Sequence, residues 1–309
     1  MRKKVSIIGS GFVGTMVAQR IAENNLADVV IVDIIEGLPQ GKALDISQSA
    51  SLEGIDVKVT GTNDFSEIRN SRIVVVTAGL ARTPGMTREE LAGKNGNIIK
   101  SITEKIKEHA PECIIIVVTN PLDVMTQLAW KVSGFPARRV VGMGGILDTA
   151  RYKLFLAEEL NVSIRDIHAL VLGGHGDAMV PVERYTTLNG IPISRLIKPE
   201  RLQAIIERTK NGGAEIVKLL KTGSAWHAPS SSVMVMVEAI LMDSKRMLPA
   251  SVYLEGEYGI EGIYIGAPIT LGAAGVEKMH KIDLPDDELA AFSLSADVVK
   301  KTFESLNIL

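Results

Sequence analysis

Short runs of apolar, mostly β-branched residues recur through the first half of the chain, separated by stretches whose apolar positions fall at three- and four-residue spacing. Val5-Ser-Ile-Ile8, Val29-Val-Ile-Val32, Ile73-Val-Val-Val76 and Ile114-Ile-Ile-Val-Val118 show little polar alternation, the mark of strands covered on both faces. The pattern predicts strands over 4–8, 29–32, 57–60, 73–77, 114–118 and 139–141, alternating with helices over 15–22, 40–49, 87–110 and 122–133. Strands and helices that mostly alternate predict a doubly wound parallel sheet, because a crossover helix is the short route between parallel neighbours.

Past residue 145 the rhythm changes. Helices are predicted over 148–159, 199–220, 230–242 and 285–306, and strands over 167–172, 179–187, 191–193, 253–259 and 263–270, with Asn189-Gly190 as a hairpin turn. This is an α+β arrangement. No Ser/Pro-rich linker separates it from the first half, so residues 1–145 and 146–309 are expected to form two domains packed directly together. The apolar stretch 233–242, with Met234 and Met236, reads as core or as a subunit interface.

Composition narrows the chemistry. With 46% hydrophobic and 23% charged residues and a formal charge of −2, the 309-residue chain has ample core and no electrostatic case for nucleic acid or an anionic membrane. No apolar run approaches the roughly 18 residues of a membrane span, and the run after Met1-Arg-Lys-Lys4 is too short for a signal peptide, so a cytoplasmic protein is expected. The single cysteine, Cys113, stands beside an apolar run and reads as a small buried hydrophobe. Cys and His do not cluster at zinc spacings, so no metal site is expected.

The first strand ends in Gly9-Ser10-Gly11-Phe12-Val13-Gly14, immediately before a helical pattern. Gly9 makes the turn, Gly11 lets backbone approach a pyrophosphate, Gly14 lets helix and strand pack closely, and the helix N-terminus offers free N–H groups to phosphate. The second strand ends in Asp33. An acid there accepts hydrogen bonds from a ribose 2′-hydroxyl and repels a 2′-phosphate, which favours NAD over NADP.

Three further stretches sit where such a sheet binds ligands. Leu80-Ala-Arg82-Thr-Pro84-Gly85-Met-Thr-Arg88 places two arginines around a Pro-Gly turn before a helix, which is also the chemistry of a lid. Gly93 and Gly96, costly inside a helix, are read as the junction between lid and helix. Val118-Thr119-Asn120-Pro121 ends another strand, and Asn120 can bond a cofactor amide or a substrate hydroxyl. Finally, Gly173-Gly174-His175-Gly176-Asp177 delivers one imidazole between glycines. A histidine titrates near neutrality, so with a carboxylate on its far nitrogen it can exchange a proton and hold the charge. Asp148 is the expected partner, and Arg151, three residues on along the same helical face, offers a fork for a substrate carboxylate.

With these pieces in place the chain resembles the lactate/malate dehydrogenase family over essentially its whole length. GSGFVG at 9–14, AGLARTPGMTREEL at 78–91, TNPLD at 119–123, GILDTAR at 145–151 and GGHGD at 173–177 occur in the family's order. The resemblance implies a Rossmann domain followed by an α+β substrate domain, NAD as cofactor, and a homo-oligomer, either a dimer or a tetramer of paired dimers. It implies His175 as acid/base, Asp148 as its orienting partner, Arg151 on the substrate carboxylate and Arg88 on the carbonyl. Asn120 would contact both substrate and nicotinamide, and the residues from Gly9 to Gly14, Asp33, Asn95 and Val118 would contact the cofactor. Ser224 resembles a pocket-wall position. Arg82 occupies the position that reads the substrate's variable end; an arginine there resembles the family's malate enzymes, whereas its lactate enzymes carry glutamine. A small dicarboxylate is therefore the implied substrate. A lactate or other 2-hydroxy-acid dehydrogenase is the alternative within the class, and a non-catalytic NAD-binding protein the alternative outside it. A methyltransferase can share the glycine turn but has no use for the arginines or for GGHGD.

Overall fold

The computed structural model describes residues 2–80, 88–306 and 308. In the first half the elements are β1 (Lys4–Ile8), α1 (Phe12–Glu23), β2 (Asp28–Val32), α2 (Leu38–Leu52), β3 (Val59–Thr62), β4 (Ile73–Val76), α3 (Arg88–His109), β5 (Ile114–Val117), α4 (Leu122–Ser133) and β6 (Val140–Gly142). All six strands are parallel, in the order β3-β2-β1-β4-β5-β6. Winding reverses between β1 and β4, so their carboxyl ends open a crevice at the switch point. The strands are apolar on both faces because both faces are covered; β4 and β5 are buried at every position.

The second half contains α5 (Gly144–Leu160), β7 (Ile167–His168), β8 (Val171–Gly173), β9 (Met179–Pro181), β10 (Thr187–Leu188), β11 (Ile191–Pro192), α6 (Pro199–Leu220), α7 (His227–Leu241), β12 (Arg246–Glu255), β13 (Glu261–Gly272), β14 (Gly275–Met279) and α8 (Asp286–Glu304). β12 lies antiparallel against β6 through one residue pair, Ser251 and Gly142, and the sheet continues through β13, β8 and β9. One apolar cluster runs through both halves, from Val17 and Ile21 of α1 to Val233, Val237 and Ile240 of α7 and on to β12 and β13. Among the described residues no helix is long and apolar enough to cross a membrane.

Several expectations need correction. The strand expected over 167–172 is two strands in two sheets: β7 pairs with β10 and β8 with β13, and the chain crosses between them at Ala169-Leu170. The strand expected over 179–187 is broken by a helical turn, Glu183–Tyr185. The third strand starts two residues later than expected, at Val59. The strand expected over 253–259 lies mostly upstream, at 246–255, with Glu257–Gly259 in a helical turn; its partner expected over 263–270 is longer, at 261–272, and β14 was not foreseen. In each case long-range pairing sets the boundary, which local periodicity does not encode. The stretch 233–242 is mostly internal: Val233, Met236, Val237 and residues 239–241 are buried, whereas Glu238 and the last residue, Met242, are exposed. Gly96 meets the end of the chain, since a Cβ there would lie 2.3 Å from the Ile308 side chain.

Candidate active site

The crevice at the switch point begins with the turn after β1. Gly9 has φ of +106°, and a Cβ on it would fall 2.7 Å from the Ala78 nitrogen. A Cβ on Gly14 would fall 2.0 Å from the Gly9 carbonyl oxygen, so α1 can start here only against a glycine. A Cβ on Gly11 would meet nothing within 4 Å. Gly11 caps α1 without a side-chain hydrogen bond, which leaves open space in front of the first-turn N–H groups. That is the cradle a pyrophosphate needs.

Asp33 closes the far side. Its Oδ2 accepts hydrogen bonds from Ser10 N (2.6 Å) and Ser10 Oγ (2.7 Å), and its Oδ1 accepts one from Ile35 N (3.1 Å). Burial pushes the carboxyl pKa up, but these donors outweigh it and hold the group below the ordinary carboxylate range. The acid is therefore ionised and fixed at the end of β2. Phe12, 67% exposed, stacks on Trp226 with ring centroids 5.0 Å apart. Val13 is half-buried in the first turn of α1.

The ends of β4 and β5 are stitched together by two side chains. Thr119 Oγ1 donates to the Ala78 carbonyl (2.7 Å). Asn95, fully buried in α3, accepts from Leu80 N (2.7 Å) and donates to the carbonyls of Leu80 (3.1 Å) and Asn120 (2.7 Å). Both ends of its amide are thus engaged by backbone, so Asn95 supports the rim rather than presenting a free group. Asn120 is exposed at that rim, before a cis peptide bond to Pro121, and Val118 is half-buried beneath it.

The histidine and its acid partner come from the second half. Asp148 is in α5 and His175 follows β8, yet His175 Nδ1 lies 2.8 Å from Asp148 Oδ2. The imidazole reaches this position because α5 opens on Gly144, where a Cβ would fall 2.9 Å from the His175 Cβ. Burial alone would depress the imidazole pKa. The charge and hydrogen bond of Asp148, assisted by Asp123, outweigh burial and the opposing Arg151, and hold it above its ordinary value.

The other Asp148 oxygen is 3.4 Å from Arg151 Nη1, one helical turn along α5. Arg151 is itself largely buried, which lowers its pKa against the support of Asp148. Its Nε–H has no hydrogen-bond partner among the described residues. A buried guanidinium with an unengaged donor is the condition under which an incoming carboxylate gains most. It lies along α6 at Gly212-Gly213, where a Cβ on Gly212 would stand 3.0 Å from Arg151 Cδ.

Arg82 lies outside the described residues. Arg88 opens α3, but its side chain is outside the described set as well. Ser224 is exposed in the segment before α7. The structure thus gathers Gly9 to Gly14 with Asp33, joins Asn95 to Asn120, and unites Asp148, Arg151 and His175. Three contributors were not foreseen. Asp123 accepts the His175 N–H (2.8 Å), Ser295 Oγ accepts the Gly174 N–H (2.8 Å), and Gly212-Gly213 makes room for Arg151. The only signal for Asp123 was its place in TNPLD; the glycine pair was visible inside a predicted helix but had no partner assigned.

A dinucleotide turn with an ionised acid beside it, together with a histidine–aspartate pair and a largely buried arginine, defines the class as nicotinamide-dependent dehydrogenases of small acids. Residues 3–142 match the lactate/malate dehydrogenase NAD binding domain and residues 146–307 the lactate/malate dehydrogenase alpha/beta C-terminal domain, so the chain belongs to the lactate/malate dehydrogenase family, with NAD as its cofactor. Among curated relatives, the malate dehydrogenase of Roseiflexus sp. (strain RS-1) is 55% identical over 306 residues, 99% of each chain. Among solved structures, the malate dehydrogenase from Picrophilus torridus in its apo form is 46% identical with a TM-score of 0.96, covering 99% of this chain and 98% of that one. The lactate dehydrogenase from Cryptosporidium parvum, complexed with lactic acid and β-nicotinamide adenine dinucleotide, is 39% identical with a TM-score of 0.97, covering 100% and 99%. Backbone shape therefore does not separate the two substrates within the family; side chains must.

Proposed function

We propose that the chain catalyses the reversible NAD-dependent oxidation of (S)-malate to oxaloacetate. The observation that carries this reading is the largely buried His175–Asp148–Arg151 cluster in a chain that also carries the dinucleotide turn. Its completion for a dicarboxylate rests on Arg82 in the sequence.

In the reducing direction protonated His175 gives its proton to the keto oxygen of oxaloacetate; in the oxidising direction neutral His175 takes it from the malate hydroxyl. Because Nδ1 is held by Asp148, Nε2 is the exchanging nitrogen, and Asp148 stabilises the imidazolium. Bound NAD(H) supplies the hydride acceptor or donor at the carbon that carries this oxygen. Arg151 grips the carboxylate next to that carbon. Arg88 offsets negative charge developing on the oxygen, and Asn120 contacts substrate and nicotinamide side. The glycine turn and Ser10, with Phe12, Val13 and Val118, line the cofactor's place. Asp33 takes the adenosine ribose, and Asn95 holds the rim beneath Asn120.

Arg82 pairs with the second carboxylate. A dicarboxylate facing Arg151 alone would bury one charge without a partner. The test is NADH oxidation with oxaloacetate and with pyruvate. The expected preference for oxaloacetate is at least about a hundredfold in kcat/KM, roughly 2.7 kcal/mol of transition-state discrimination. Arg82→Gln is expected to shift the ratio toward pyruvate; a ratio that it leaves unchanged would overturn the role of Arg82, and a native preference for pyruvate would overturn the malate assignment. Division of the chain at residue 145, a cytoplasmic location and a homo-oligomer belong to the same reading. Exposed Leu44 and Leu52 on α2 and Leu219 on α6 support the last of these.

A further inference from the structure

His175 lies between β8 and β9, whose last paired residues are Gly173 and Met179, so the sheet supplies no acceptor for the peptide nitrogens of Gly174 and His175. Side chains from two helices supply them. Ser295 of α8 accepts from Gly174 N, and Asp123, in the first turn of α4, accepts from His175 N through Oδ2 at 2.8 Å. Asp123 is 4% exposed, and its Oδ1 has no hydrogen-bond partner among the described residues. An apolar residue in the first turn of α4 would avoid the cost of burying a carboxyl. What the carboxyl provides is the acceptor.

Asp123 also stands three residues after Asn120. The rim residue and the histidine come from opposite halves of the chain, and the Asp123–His175 bond is a polar link between the segments that carry them. We propose that Asp123 is a positioning residue for proton transfer: by holding the His175 peptide it fixes the imidazole relative to the rim that carries Asn120. An error of about 1 Å in such a distance can cost a hundredfold in rate, so one hydrogen bond at the base of the imidazole has leverage on the chemistry. This proposal rests on the reading of His175 as the acid/base.

Burial raises the Asp123 pKa against opposition from the nearby Ser251 hydroxyl and from the His175 N–H and imidazole, and its charge adds only a supporting attraction to the imidazole. The principal counter-charge is Asp148, 2.8 Å from His175 Nδ1.

The test compares Asp123→Asn, which keeps an oxygen acceptor, with Asp123→Leu, which removes it; Asp123→Ala replaces Leu if that variant does not fold. For oxaloacetate reduction, Leu or Ala is expected to lower kcat at least tenfold and raise the solvent isotope effect, with the KM for NADH within twofold of wild type. Asn is expected to restore kcat to within fivefold. Wild-type kcat in the Leu or Ala variant, a loss confined to the KM for NADH, or an Asn variant as impaired as Leu would overturn the proposal. His175→Ala, measured alongside, separates the two failures. If it is inactive while Asp123→Leu is fully active, only the role of Asp123 falls; if it stays active, the acid/base reading falls and this proposal with it.

Discussion

At the scale of residues, one carboxylate does two tasks. Asp148 holds an imidazole on one oxygen at 2.8 Å and a guanidinium near the other at 3.4 Å. The raised His175 pKa sets the direction of the pH dependence. Oxaloacetate reduction, which needs the imidazolium, is expected to persist above the ordinary imidazole pKa of about 6.5 and to fall as pH rises through the raised value. Malate oxidation is expected to rise over the same range. Initial-rate profiles in both directions check this, and Asp148→Asn should move the midpoint down toward the ordinary value of about 6.5. The same shift stabilises the folded chain below that ordinary value, a contribution lost as pH rises through the folded pKa. The sequence exposed the types and neighbours of Asp148, Arg151 and His175, because an acid and an arginine one turn apart and a histidine between glycines are local patterns. It hid the function of Asn95 and Asp123, whose side chains serve backbone groups that only folding brings near.

At the scale of elements, α6 shows local preference giving way to a neighbour. Glycine inside a helix costs about 1 kcal/mol relative to alanine, yet α6 carries Gly212-Gly213 where Arg151 lies against it. Gly212→Ala is expected to leave the thermal midpoint unchanged or higher while raising the KM for oxaloacetate severalfold, with the KM for NADH unaltered. Steady-state kinetics beside a melting curve decide the matter; an unchanged oxaloacetate KM would mean that Arg151 has slack the distances deny. Helices 122–133 and 199–220 were legible residue for residue, because their periodicity runs long and ends in clear breakers. Short strands were not: a stretch such as 167–172 has one apolar pattern but two sheets to serve, and only tertiary pairing divides it.

At the scale of the whole molecule, the two halves share a sheet and a core. The Ser251–Gly142 pair carries the sheet across, and α1 packs on α7 through Val17, Ile21, Val233 and Val237, each buried side chain contributing roughly 1.5–3 kcal/mol. Separating the halves would expose that apolar surface, so a single calorimetric unfolding transition is expected, coincident by circular dichroism and fluorescence. Two resolved transitions would mean that the halves unfold independently. The change of rhythm near residue 145 was legible; the shared core was not, because periodicity marks a buried face without naming what buries it. The two tryptophans divide the molecule in another way. Trp130 sits against Tyr253 and Tyr264, with ring centroids 4.5 and 5.8 Å away, whereas Trp226 stacks on Phe12 beside the glycine turn. The protein therefore carries its own pair of optical reporters, one whose emission follows the integrity of the core and one placed to register the arrival and departure of a dinucleotide.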